Sequence, residues 1–149
     1  MRLLVRDIYF FKGLDKIRED YMDLLDLIPG KRVFGEQFQK VSTAILCAIN
    51  PENKPPLEWF SSLKMRSKQE VLDLIKGEAK SKYYLLYTGR TSVIGDDYML
   101  FCVSDAESVL DFIESCFIEE RGEGLDVVIS DESYKNLIIG NHDGLLLQV

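Results

Sequence analysis

Lys82-Tyr83-Tyr84-Leu85-Leu86-Tyr87 and Tyr98-Met99-Leu100-Phe101-Cys102-Val103 are the two stretches at which the chain changes character. Both are short runs of aromatic and aliphatic residues, and each reads as a β-strand. Upstream of them apolar residues recur at helical spacing. Downstream, after one more helical segment, they fall into short runs separated by Gly, Asn and Asp. Helices first and a mostly antiparallel sheet second place the chain in the α+β class, with N-terminal helices packed on the sheet and a C-terminal β-meander.

The downstream part is the more explicit. Ser104-Asp105-Ala106-Glu107 has the form of a capping box and opens a helix reaching about Phe117. Val109, Leu110, Phe112, Ile113, Cys116 and Phe117 form its apolar face, and Asp105, Ser108, Asp111 and Ser115 fall on the opposite one. Asp105 and Glu107 also sit near the helix start, where negative charge suits the helix dipole. Arg121-Gly122-Glu123-Gly124 is a turn. Strands are expected over 125–130, 135–141 and 145–149, with a turn at 131–134. Asp143-Gly144 signals a two-residue hairpin.

Upstream, Leu14, Ile17, Tyr21, Leu24, Leu25 and Ile28 trace an amphipathic helix over 14–28 that Pro29-Gly30 ends. Phe34, Phe38, Val41, Ile45 and Cys47 or Ala48 trace a second over 34–49, with a strand as the alternative at its C-terminal end. Pro56 suits the first turn of a short helix in which Trp59, flanked by Leu57, Phe60 and Leu63, is expected to anchor the core, with a partly exposed binding role as the alternative. Ser67-Lys68-Gln69-Glu70 is a capping box for a helix ending at Gly77. Residues 1–11 fit either strand or helix, and 88–97 form a loop. No repeat or long linker divides the 149 residues, so one domain is expected over 1–149.

Composition narrows the class. Apolar residues make up 46% of the chain, which is enough to build a core and argues against disorder. No run approaches about 18 apolar residues, so a membrane span is not expected. The opening Met1-Arg2-Leu3-Leu4-Val5-Arg6-Asp7 is too short for a secretory signal. Cys47, Cys102 and Cys116 form no CxxC pair, and each lies in an apolar stretch, so all three are expected in the core. Together these features point to the cytoplasm.

The net charge of -7 is unevenly spread. Residues 1–80 carry 14 basic and 12 acidic side chains, whereas 81–149 carry 4 and 13. Such an acidic field repels nucleic acid and anionic membrane and attracts basic proteins. It also reads simply as a solvated face that keeps the domain in solution.

Motifs for chemistry are sparse. The one histidine, His142, has Asp143 beside it in a tight turn, poorly placed to orient the ring as a Ser-His-Asp relay requires. A pairing with Cys102 or Cys116 would need those thiols out of the core. His142 and Asp143 supply two metal ligands where three or four are needed. There is no phosphate-binding glycine loop. No catalytic residue, cofactor or metal site is therefore assigned. Lys64-Met65-Arg66-Ser67-Lys68 is a basic cluster too small for a nucleic-acid footprint.

One resemblance adds direction. Residues 125–144 read Leu125-Asp126-Val127-Val128-Ile129-Ser130, then a turn containing Tyr134, then Leu137-Ile138-Ile139-Gly140-Asn141-His142-Asp143-Gly144. A strand ending in Ser, a Tyr-bearing turn and an apolar strand ending in Asn-His resembles a family of small bacterial α+β proteins without assigned function. In size, layout and tail pattern that family is similar to the SUKH superfamily and other immunity proteins of bacterial toxin systems. The resemblance covers about residues 55–149 and implies neutralisation of a toxin by tight binding, without catalysis.

Two functional expectations follow. The first is a non-enzymatic cytoplasmic binding domain that meets a basic protein, such as a toxin, through Asp105, Asp111, Glu114, Glu119 and Glu120. The second is a ligand-binding or enzymatic domain with a pocket formed by Tyr84, Asn141, His142 and Asp143, beside the strand that also holds Tyr83 and Tyr87. A third, simpler expectation is a homodimer paired through an exposed terminal strand at 145–149.

Overall fold

The computed structural model describes residues 26–77, 82–89 and 98–149. Residues 1–11, most of the 14–28 segment and most of the 88–97 loop lie outside them. Within them the order is β1 (Lys31–Val33), α1 (Gly35–Ile49), α2 (Pro56–Ser62), β2 (Lys64–Arg66), α3 (Lys68–Lys76), β3 (Tyr83–Tyr87), β4 (Met99–Val103), α4 (Ala106–Cys116), a 3-10 turn (Glu119–Arg121), β5 (Val127–Asp131), β6 (Leu137–Gly140) and β7 (Leu146–Gln148). The strands form a single antiparallel sheet in the order β1-β4-β3-β5-β6-β7-β2. The α+β class stands.

The sheet is covered on both faces. Side chains alternate along a strand, so β3 sends Tyr83, Leu85 and Tyr87 to one side and Tyr84 and Leu86 to the other. The first side packs against α3 and α4 through Val71, Ile75, Val109, Phe112 and Ile113. The second packs against α1 through Val41 and Ile45. The helices are thus split between the faces, with α4 inserted between strands, and are not gathered as one N-terminal layer. Register holds the faces together: Leu85 pairs with Phe101 on β4 and with Ile129 on β5.

Helix boundaries follow local chemistry. Helix α3 carries the expected box: the Ser67 side chain accepts from Glu70 N–H and the Glu70 carboxylate accepts from Ser67 N–H. Helix α4 starts one residue later than expected. Its cap is Asp105, whose carboxylate accepts from Ser108 N–H at 2.7 Å, so Ser104 is not the capping residue. Residues 35–49 are helical throughout, with no strand at their end.

Several core expectations are corrected. Cys47 is exposed, Cys102 half-buried and only Cys116 buried. Cys47 follows Ile45 by two positions, about 200° around the helix, so burial of Ile45 turns the thiol outward; Ala48 takes the inward place. Phe34 caps α1 from outside and is 70% exposed. Helix α2 buries no residue: Leu57 and Phe60 face solvent, and Trp59 is half-buried. Trp59 acts by a polar contact instead, its Nε1–H donating to the Ile49 carbonyl at 2.9 Å and satisfying one acceptor at the end of α1.

Two edge strands were not expected. Strand β1 enters the sheet after Gly30, whose φ of +94° and contact with the Cys102 backbone leave no room for a side chain. Strand β2 is the core of the basic cluster and pairs with β7, Met65 opposite Leu147. Residues 146–148 therefore have partners on both sides and offer no free ladder to a second copy. Arg66 donates to Gln148 Oε1 at 2.8 Å and to Glu70 Oε2 at 3.1 Å, which commits that cation internally.

Ile45 is fully buried. Ile45→Ala should destabilise the fold by about 2–5 kcal/mol in urea unfolding, whereas Cys47→Ala should stay within about 0.5 kcal/mol. Comparable losses from the two would contradict the assigned helix face.

Candidate functional site

The acidic residues singled out from the sequence sit on and beside α4. This helix is fixed by its apolar side: Val109, Phe112, Ile113 and Cys116 are buried, and the Phe112 and Phe117 rings meet edge-on with centroids 5.7 Å apart. Burial also pushes the Cys116 thiol up to about 12, so it is a packing group and not a nucleophile. The outward side carries Asp105, Glu107, Asp111 and Glu114, all exposed. Asp105 is spent on the helix cap, so of the five residues assigned to the face it is the one with a structural duty.

Past α4, Ile118 and Glu123 exchange backbone hydrogen bonds of 2.9 and 3.1 Å and close a small loop. Glu119, Glu120 and Arg121 protrude from it, and Gly122 completes the turn in the left-handed region. Among the described residues, Glu107, Asp111, Glu114, Glu119 and Glu120 form no ion pair. Lys68 donates to the Glu114 backbone carbonyl at 3.4 Å.

The hairpin holding His142 packs against this loop. Gly144, at φ +87°, lies against the Glu123 carbonyl and the Glu119 backbone, where a Cβ would meet atoms at 2.6 and 3.0 Å. The turn differs from the two-residue form expected. Gly144 N–H donates to the Asn141 carbonyl at 3.1 Å, which makes His142 and Asp143 the central residues, and neither has positive φ. It is a three-residue connection whose left-handed position is the glycine. The Asn141 side-chain oxygen accepts from Asp143 N–H at 3.0 Å and Leu145 N–H at 2.9 Å, so Asn141 holds the turn.

His142 is oriented by a residue that sequence reasoning did not connect to it. Asp126 Oδ1 accepts from His142 N–H at 3.1 Å and lies 3.0 Å from His142 Nδ1. Nδ1 is thus the ring nitrogen that faces the Asp126 carboxylate. Nε2 lies 3.8 Å from Asp143 Oδ2. Asp126 and His142 are sixteen positions apart, just before β5 and just past β6, and the pairing of Val127 with Gly140 brings them together. No periodicity in the chain reports that register. Of Asp126, His142 and Asp143, the last is the exposed acid that the hairpin presents beside the Glu119–Arg121 turn.

The alternative pocket is not assembled. Tyr84 is buried on the α1 side of the sheet, near Tyr134, while Tyr83 and Tyr87 point to the other side. Tyr84 pairs with Ser130, and the His142 hairpin follows the opposite end of β5, beyond Val127. Asn141, His142 and Asp143 are neighbours of one another but not of Tyr84. A cleft of about 580 Å³ does exist among the described residues, yet it lies between β1, Tyr98 and α1, with none of those four residues in its lining. Among the described residues no group of three or more His, Cys, Asp or Glu side chains could hold a metal ion, and no helix is long and apolar enough to cross a membrane.

Two measurements check this surface. Asn141→Ala removes two hydrogen bonds from the turn and should cost about 1–2 kcal/mol in chemical unfolding; an unchanged midpoint would mean the turn is held otherwise. The Ser108 backbone N–H bound to Asp105 holds that carboxyl below the usual carboxylate range. A carboxyl lowered on folding stabilises above its unfolded value and stops doing so as pH falls through its folded one. Asp105→Ala should therefore melt below the unsubstituted protein at neutral pH, with the gap closing in acid; a gap independent of pH would contradict the charged cap. Compared with protein-family models, curated proteins and solved structures, the chain matches none.

Proposed function

We propose that this chain is a non-enzymatic, cytoplasmic binding domain that captures a basic protein on its acidic face, in the manner of an immunity protein neutralising a bacterial toxin. The observation that carries the reading is the set of exposed carboxylates on α4 and the following turn, unpaired with any described cation and mounted on a helix whose other side is buried in the core. An exposed ion pair would already have satisfied such charges locally. Left unpaired on a stiff support, they raise the encounter rate with a basic surface and fix its orientation. Asp111, Glu114, Glu119 and Glu120 are the contact residues of this reading. Asp143 on the hairpin widens the field, while Asp126, just before β5, is engaged by His142.

The Asp126–His142 pair is the one observation that favours an enzymatic alternative, because a carboxylate behind an imidazole is the orienting half of a relay. Among the described residues, no Ser, Thr or Cys side chain hydrogen-bonds that ring. The binding reading therefore takes precedence.

The test is capture from lysate of the native host, followed by purification of the captured protein and titration against it at several salt concentrations. The double variant Asp111→Lys/Glu114→Lys should slow association by about tenfold or more at low salt and flatten the salt dependence. A captured protein of acidic or neutral surface, or one bound equally by the double variant, would overturn the reading.

A further inference from the structure

We infer that the cleft between β1, the start of β4 and α1 is a binding site for a small planar carboxylate. Its volume of about 580 Å³ falls in the range of small-molecule pockets. Three large hydrophobic side chains exposed to solvent line it: Phe34, Leu46 and Tyr98, at 70, 41 and 37% exposed. They account for three of the eight large hydrophobic side chains exposed among the described residues, gathered in one place. Isolated exposed apolar residues need no explanation, but a concave group of them marks a binding surface. Phe38, half-buried against the α1 core, completes the wall.

The polar lining combines one cation, Arg32, with the neutral groups of Gln39, Ser42 and Thr43. Among the described residues, Arg32 is the one charged side chain that lines the cleft. The guanidinium lies 5.1 Å from the centroid of the Phe34 ring and makes no ion pair with a described carboxylate. Stacked on a ring, a guanidinium keeps its edge N–H donors free, and that fork matches a carboxylate. In a chain of net charge -7, a single unpaired cation over aromatic walls selects an anion with a flat hydrocarbon body. Gln39 and Thr43, one turn apart on α1, add neutral hydrogen-bonding groups on the opposite side. The site is independent of the acidic face, since the two share no residue.

The experiment is titration of the full chain with naphthoate and with its neutral analogue naphthalenemethanol, followed by amide chemical shifts. Naphthoate should saturate, with shifts gathered at Gly35, Gln39, Thr43 and Leu46. Arg32→Gln should weaken naphthoate by about tenfold or more while leaving the alcohol within about twofold, as expected for loss of a charged hydrogen bond. Thr43→Trp, at an exposed helix position, should fill the cleft and abolish both; each variant's own spectrum reports its folding. Absent or scattered shifts, equal binding of acid and alcohol, or naphthoate binding that survives Thr43→Trp would overturn the proposal.

Discussion

Strand β3 has no free side. Both of its edges are paired, with β4 and β5, and both of its faces are covered, so all five of its residues are buried. Its tyrosines and leucines can be accommodated only if helices lie on both sides of the sheet. That requirement splits α1 from α3 and α4 and divides the core into two apolar clusters. It also decides which side of α4 faces inward. The acidic side is exposed as a consequence, and the loop and hairpin that continue it are placed by β5 and β6, the next strands in the sheet.

The functional proposals stand on different parts of this frame. The acidic face draws its stiffness from the contact of α4 with α3 and the sheet. The carboxylate cleft lies on the other side, where α1 begins beside the edge strand β1. A domain of this construction can present a charged protein-binding face and a small-molecule cleft without either competing for the same residues. A ligand that fills the cleft would touch α1, and α1 reaches β3 through Val41 and Ile45, the same sheet that supports α4.

Much of the frame was readable from residue patterns, and the failures have physical reasons. Strong caps and long apolar periods located α1, α3 and α4 to within a residue or two. The aromatic runs located β3 and β4. Strands β1 and β2 were missed because they are three residues long and carry two cations each, so they show no apolar alternation. The two-sided sheet did have a signal: Tyr83-Tyr84-Leu85-Leu86-Tyr87 contains no charged or small polar residue, as a strand with one wet face would. Asp126 and His142 could not be joined by inspection, since their meeting depends on strand register. The cleft was likewise out of reach, because β1 forms one of its walls.

Native-state hydrogen exchange of the amides of α4 and β3 tests the central claim most directly. If α4 is fixed to the doubly covered sheet, Phe112 and Ile113 should exchange only through the same global opening as Leu85 and Leu86, while the short edge strands β1 and β2 open locally. Exchange of α4 through a local opening far below the global free energy would contradict the account, because the acidic face would then have no rigid support.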